Sequence, residues 1–154
     1  MEKQKKFNII FVCTGNTCRS PMAEFMFKQY LKDKKRGGEF AVSSAGLYAE
    51  RGSELSENAH STLELLDIKH NPKRKAKVFT VQMTFDADLI IGMSARHAAE
   101  CGDGNVKSFE DFGLKRPIPD PYGGSLQVYL DCAAAIRSCF DDILAYCDKL
   151  KNPT

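Results

Sequence analysis

Long apolar runs, a marked excess of one charge and closely paired cysteines are all missing from this 154-residue chain. No stretch approaches the ~18 consecutive apolar residues of a membrane helix, and Met1-Glu2-Lys3-Gln4-Lys5-Lys6 is not followed by a signal-peptide core. The expectation is a cytoplasmic protein with no membrane association. Lys and Arg number 22 against 20 Asp and Glu, a formal net charge of only +2, which argues against a nucleic-acid partner. The basic run Lys73-Arg74-Lys75-Ala76-Lys77 reads as a solvated loop. There is no Cys-x-x-Cys pair, and His60, His70 and His97 are scattered, so neither a metal nor a cofactor is expected. In this context six cysteines read as reduced thiols. Cys132, Cys139 and Cys147 fall at helical spacings with Ile136, Phe140, Ile143 and Leu150, which assigns them to core packing. With 43% apolar residues and no break in composition, residues 1–154 fit one domain, expected to be a monomer.

The most informative stretch runs from Phe7 to Pro21. Phe7-Asn8-Ile9-Ile10-Phe11-Val12 is short, β-branched and apolar except at Asn8, as expected of a parallel strand covered on both faces. Ser20 offers a helix N-cap and Pro21 a first helical residue, while Met22, Phe25, Met26 and Tyr30 mark one helical face. The loop between strand and helix exposes backbone N–H groups and the positive end of a helix dipole, a cradle for an oxyanion. Cys13 and Arg19 share it. The cradle and Arg19 favour the thiolate of Cys13, a nucleophile. The planar Arg19 fork can hold two oxygens of a phosphoryl group during in-line attack. Gly15 allows close backbone approach and Asn16 tolerates a left-handed conformation.

Further along, Gly37-Gly38 reads as a helix stop, and Phe40-Ala41-Val42-Ser43 as a second strand joined to the first by a βαβ crossover. Ser56 can cap a helix through Ala59, Leu63 and Leu66, and Asn71-Pro72 enforces a turn. Val78-Phe79-Thr80-Val81 has strand propensity. Ala87 to Met93 is a third strand, Ser94 begins a helix through His97, and Val106 to Phe109 is a short fourth strand. Residues 110–124 hold three prolines and three glycines, which predicts a long loop at the same end of the sheet as Cys13. One final helix is expected from about Ser125 to Lys151.

The string Val12-Cys13-Thr14-Gly15-Asn16-Thr17-Cys18-Arg19-Ser20-Pro21 resembles the signature of the low-molecular-weight branch of the cysteine-dependent protein tyrosine phosphatases. The likeness extends to Ser43-Ser44-Ala45-Gly46, Phe85 to Met93, and Pro119-Asp120-Pro121-Tyr122-Gly123. It implies an α/β fold, a single-domain three-layer αβα with a four-stranded parallel sheet and the catalytic loop after the first strand. It also implies Thr14, Gly15, Asn16, Thr17, Cys18 and Ser20 as the phosphate-binding loop, supported by Asn16, Ser44 and His70. Residues 78–81 become a loop or short helix on this likeness. The implied partner is a phosphorylated protein or peptide.

A thiolate that displaces an alcohol or amine needs an acid for the leaving group. Asp120, between two prolines in the long loop, is the candidate, with apolar surroundings favouring its protonated form; it would then serve as base toward water. The matching family residue has that role. Cys18 either packs beneath the loop or traps an oxidised Cys13 as a disulfide. Thr17 stands where tyrosine-directed members carry a larger aliphatic residue and resembles the bacterial protein arginine phosphatases. Gly124 follows the pocket residue Tyr122 without the second aromatic of many tyrosine-directed members. Phosphoarginine is therefore the favoured substrate and phosphotyrosine the second. A thioredoxin-coupled arsenate reductase would need two further relay cysteines, and none lies between Cys18 and Cys101. A cysteine-type sugar-transport phosphocarrier would have no use for Asp120. A non-catalytic phosphoresidue-binding module would not turn over p-nitrophenyl phosphate.

Overall fold

The computed structural model describes residues 5–153. Its centre is β1 (Phe7–Cys13), in a four-stranded parallel sheet with β2 (Phe40–Gly46), β3 (Leu89–Gly92) and β4 (Val106–Ser108), in the order β2-β1-β3-β4. The period-2 geometry of β1 divides its apolar run between two faces. Ile9, Phe11 and Cys13 join the larger core, and Ile10 and Val12 the smaller. Both faces are therefore covered, which explains why the run does not alternate with polar residues. Phe11 is fully buried with ring centroids 5.9 Å from both Phe27 and Phe109. Burial of a side chain of this size stabilises by roughly 1.5–3 kcal/mol.

The larger core is closed by α1 (Arg19–Asp33), α2 (Glu57–Leu65), α5 (Leu126–Arg137) and α6 (Phe140–Lys151), and the smaller by α3 (Val81–Asp86) and α4 (Ala95–Glu100). This is the expected three-layer αβα arrangement. Register aligns the strand ends: Cys13 pairs with Gly46, Val12 with Gly92, and Gly92 with Ser108. The loops that follow all open at that edge. The sheet order also reverses direction beside β1, the place where open α/β sheets bind ligands.

Several local expectations change. The first helix begins at Arg19, so its N-cap is Cys18 without a side-chain bond, and Ser20 and Pro21 lie inside the first turn. Ser20 is thereby free for another partner. The stop of α1 is not Gly37-Gly38 but Lys35, at φ 60°, with Arg36 N–H bonded to Leu31 O at 2.8 Å and Lys35 N–H to Lys32 O at 2.9 Å. That is a Schellman ending in which lysine takes the usual place of glycine. Gly37 instead opens a short 3-10 turn (Gly37–Glu39). Helices α2 and α4 begin after Ser56 and Ser94, as expected, with Ser56 Oγ accepting from Ala59 N–H and Ser94 Oγ from His97 N–H. Val78 forms an isolated parallel bridge with Gly46, 79–80 are loop and the helix begins at Val81, so residues 78–81 follow the family likeness except for the single bridge at Val78.

The final helix is two. The Ser138 hydroxyl donates to Ala135 O at 2.6 Å and Cys139 N–H bonds to Ile136 O at 3.2 Å, breaking the i−4 ladder between α5 and α6. Apolar periodicity runs through the break, because Ile136, Phe140 and Ile143 all reach one core. Cys132, Cys139 and Cys147 are buried there, and burial pushes the pKa of Cys132 and of Cys147 up to about 12. All six cysteines are free thiols. Among the described residues no helix is long and apolar enough to cross a membrane.

Candidate active site

Residues 13–19 curl between β1 and α1, and with Asp120 and Tyr122 they line a cleft of about 250 Å³. Cys13 is at its base, nearly buried, and its sulfur meets Asn16 N–H at 3.2 Å and Ser20 Oγ at 2.8 Å. Asn16 is left-handed at φ 57°, which turns the loop back over the sulfur. A Cβ at Gly15 would make only an ordinary 3.7 Å contact with Thr17 Oγ1, so no neighbouring protein atom requires glycine there. The glycine demanded by close approach is Gly46, whose Cβ would stand 2.6 Å from Thr14 O and 2.9 Å from Asn16 N.

A chain of buried hydrogen bonds fixes the loop. Asn16 Nδ2 donates to both Ser20 Oγ and Ser44 Oγ at 2.9 Å, and Ser44 donates to Glu24 Oε1 at 2.6 Å. Asn16 Oδ1 accepts from Arg74 Nη2 at 2.6 Å and Lys77 N–H at 2.9 Å, while Arg74 Nη1 donates to Asn16 O at 2.7 Å. The wholly buried Asn16 amide is thus fully satisfied. Ser20 Oγ accepts from Asn16 and keeps its hydroxyl proton, which it can donate to the Cys13 sulfur. Burial lowers the pKa of Arg74, and nearby Glu24 opposes that shift.

Ser44 therefore supports the loop, whereas His70 does not reach it: its Nδ1 bonds Ile68 O at 2.8 Å and its Nε2 meets His60 Nδ1 at 2.8 Å. Arg74 occupies the supporting role expected of His70. The run 73–77 is accordingly not wholly solvated. Glu24, another loop-supporting residue missed in the sequence, carried a legible signal: a carboxylate amid Met22, Phe25 and Met26 on the buried side of α1.

Arg19, 7% exposed, donates from Nη1 to Ile118 O at 3.1 Å, and its Nη2 lies 3.8 Å from Asp120 Oδ2. Asp120 thereby faces the cleft from the 110–124 loop. Its surroundings are not apolar as expected, because its side chain is 58% exposed and its Oδ1 accepts from Tyr122 N–H at 3.1 Å. Tyr122 is exposed on the rim. Gly124 is set by the turn itself: a Cβ there would lie 2.9 Å from Pro121 O and 3.1 Å from Val128 Cγ1.

Thr14 Oγ1 bonds His97 Nε2 at 2.9 Å, and His97 Nδ1 meets Ser94 Oγ at 2.8 Å. Burial, reinforced by Arg19, lowers the His97 pKa. Nothing in the sequence marked this histidine as a loop partner. Cys18 Sγ lies 3.2 Å from Tyr129 Oη and 3.3 Å from Ser56 Oγ, beneath the loop. Burial, then the Cys18 contact, pushes the Tyr129 pKa up to about 12.

A family model described as low molecular weight phosphotyrosine protein phosphatase matches residues 8–152. The protein-arginine-phosphatase of Bacillus subtilis is 35% identical over 131 residues, 79% of this chain and 84% of that protein. A low molecular weight protein-tyrosine-phosphatase of Staphylococcus epidermidis, PtpB, is 33% identical over 141 residues, 88% of this chain and 95% of that one. Among solved structures, the low molecular weight protein tyrosine phosphatase of T. tengcongensis superposes with a TM-score of 0.82 at 30% identity, covering 92% of this chain and 99% of that one. A YwlE arginine phosphatase mutant with a phosphorylated active-site serine gives 0.81 at 28% identity, covering 95% and 97%.

Proposed function

The chain belongs to the low molecular weight phosphotyrosine protein phosphatase family, and on that premise we propose that it hydrolyses phosphoarginine in proteins, with phosphotyrosine as a second substrate. The observation that carries the chemistry is the convergence of Cys13, Arg19 and Asp120 on one cleft. Cys13 thiolate attacks phosphorus, the P–N bond of phosphoarginine or the P–O bond of phosphotyrosine breaks, and Asp120 gives its proton to the leaving atom. Asp120 carboxylate then takes a proton from water as that water attacks the thiophosphoryl group, returning phosphate and the thiolate. Arg19 and the loop N–H groups hold the phosphoryl oxygens throughout. The phosphorylated active-site serine of the YwlE mutant supports a covalent step of this kind. No step assigns work to a metal or cofactor.

Thr17 carries the preference for arginine. It lines the cleft with Tyr122, and a threonine leaves room and a hydroxyl where a larger aliphatic side chain would present a methyl-rich wall to a guanidinium. The turn that requires Gly124 keeps a second aromatic from that position. Similarity to relatives of both specificities, 35% and 33% identical, leaves the choice to such pocket residues.

The test compares phosphoarginine and phosphotyrosine peptides under one set of conditions, with wild type, Thr17→Ile and Asp120→Asn. Pocket changes of this size are worth about 10- to 200-fold, so Thr17→Ile is expected to move the arginine-to-tyrosine ratio one or two decades toward tyrosine while p-nitrophenyl phosphate turnover survives. Asp120→Asn should lose roughly 10² to 10⁴ on poor leaving groups and far less on p-nitrophenyl phosphate. A wild type that prefers phosphotyrosine refutes the arginine assignment. Equal losses on both leaving groups refute Asp120 as acid.

A further inference from the structure

Histidines scattered in sequence meet in space on the side of α2. Among the described residues one group of side chains has the makings of a cation site: His60, Glu64 and His70 offer one ligand atom each, all within 4.8 Å of one another. His60 and Glu64 are one turn apart on α2, and His70 arrives from the segment after it. His70 Nδ1–H donates to Ile68 O at 2.8 Å. That bond fixes the tautomer and leaves the Nε2 lone pair facing His60 Nδ1 at 2.8 Å. A backbone carbonyl behind an imidazole is the arrangement that orients a metal-ligating histidine. The Phe25 ring, with its centroid 5.7 Å from that of His70, packs against the imidazole.

We infer that His60, Glu64 and His70 form a binding site for a divalent transition-metal ion of the zinc type, separate from the phosphatase cleft. Two imidazoles and one carboxylate suit zinc or cobalt, with water completing the shell. The geometry is close to what such an ion needs. Two ligands at about 2.0–2.1 Å around a tetrahedral ion stand about 3.3 Å apart, so the imidazoles separate by only about 0.5 Å. The proton now held between them moves to His60 Nε2, which already faces Glu64 Oε1 at 3.8 Å. The Glu64 side chain is 65% exposed and free to swing inward.

The ion would staple α2 to the segment leading into Arg74. Both flank the phosphate-binding loop: Ser56 N–H, at the start of α2, bonds Thr17 O at 3.0 Å, and Arg74 holds Asn16. The site does not depend on the phosphatase assignment, because none of its three ligands lines the Cys13 cleft.

Cobalt is the discriminating probe, because a thiolate ligand would add a near-ultraviolet charge-transfer band and the proposed set contains none. Co²⁺ titration of the full chain is expected to give visible d–d bands saturating at one equivalent, without thiolate charge transfer, and unchanged in Cys13→Ser. His70→Ala should abolish them. Glu64→Gln, at an exposed position that leaves folding intact, should weaken binding at least about tenfold, and circular dichroism checks each variant. If His70→Ala does not fold, Glu64→Gln alone decides. Absence of d–d bands, bands indifferent to these substitutions, or a spectrum carried by thiolate charge transfer overturns the proposal.

Discussion

The two ends of the sheet each carry a polar network, and the networks differ in burial more than in chemistry. At the end where β1 stops, Asn16, Ser44, Glu24 and Arg74 interlock around the loop, with Asn16 wholly buried and Glu24 only 8% exposed. At the opposite end, Arg36 bonds Glu39 at 2.8 Å and Asp148 at 2.7 Å, and Lys151 bonds Glu39 at 2.8 Å. Those side chains are 26–41% exposed. The Arg36 and Lys151 bonds hold Glu39 down at about pKa 2, while its side chain stays 41% exposed. Solvent screens the second network, so its many contacts stabilise little. In the first network, a removed partner leaves a buried group unsatisfied, and the loop that positions Cys13 moves with it.

The sharpest way to break this contrast is Asn16→Ala, which takes a hydrogen bond from each of Ser20, Ser44, Arg74 and the Lys77 N–H at once. A loss of about 3 kcal/mol or more in urea unfolding is expected, with turnover down roughly 10²-fold as the loop loses its geometry. Arg74→Met keeps an unbranched apolar stem and removes the guanidinium donors together with the charge beside Glu24. It should cost about 1–3 kcal/mol and lower kcat more than it raises KM, since Arg74 does not line the cleft.

His97 sharpens the comparison through pH. Its pKa is lowered in the fold, by burial first and Arg19 second, so below about 6.5 the unfolded chain binds the proton that the folded chain resists. Stability from this source is complete above that pH, falls as pH drops toward the lowered value, and is constant beneath it. The slope of unfolding free energy against pH in that window should flatten in His97→Gln.

The smallest effect is expected from the exposed network. Arg36→Ala should lower stability by at most about 1 kcal/mol, less at high salt, and leave turnover unchanged. A larger loss, or a fall in kcat, would erase the distinction between the two ends.

Legibility followed the same divide. The loop from Cys13 to Arg19, its strand, its helix and the acid-bearing segment 110–124 were readable because each is a local pattern of period, turn residues and helix start. The partners of the loop were less so. His70 was expected where Arg74 stands, and both lie in a segment whose sequence has no period to set its path. His97 carried no sequence signal, because its contact with Thr14 spans 83 residues and depends on two strand ends meeting at one edge. The break at Ser138 was hidden for the opposite reason: apolar spacing runs unbroken across it.

What the residues alone determined is the local chemistry: a buried parallel strand delivering a thiol to a helix start, an arginine six positions on, and an aspartate between prolines. Those depend on near neighbours and on one-dimensional spacing. Only the tertiary structure decided which side chains secure that loop, and it also brought His60 and His70 to 2.8 Å. The histidine contact depends on the path of the segment that follows α2. The loop contacts depend on sheet order and strand register, which place residues far apart in the chain at one edge. Burial then turns ordinary polar pairs there into groups that cannot lose a partner without cost.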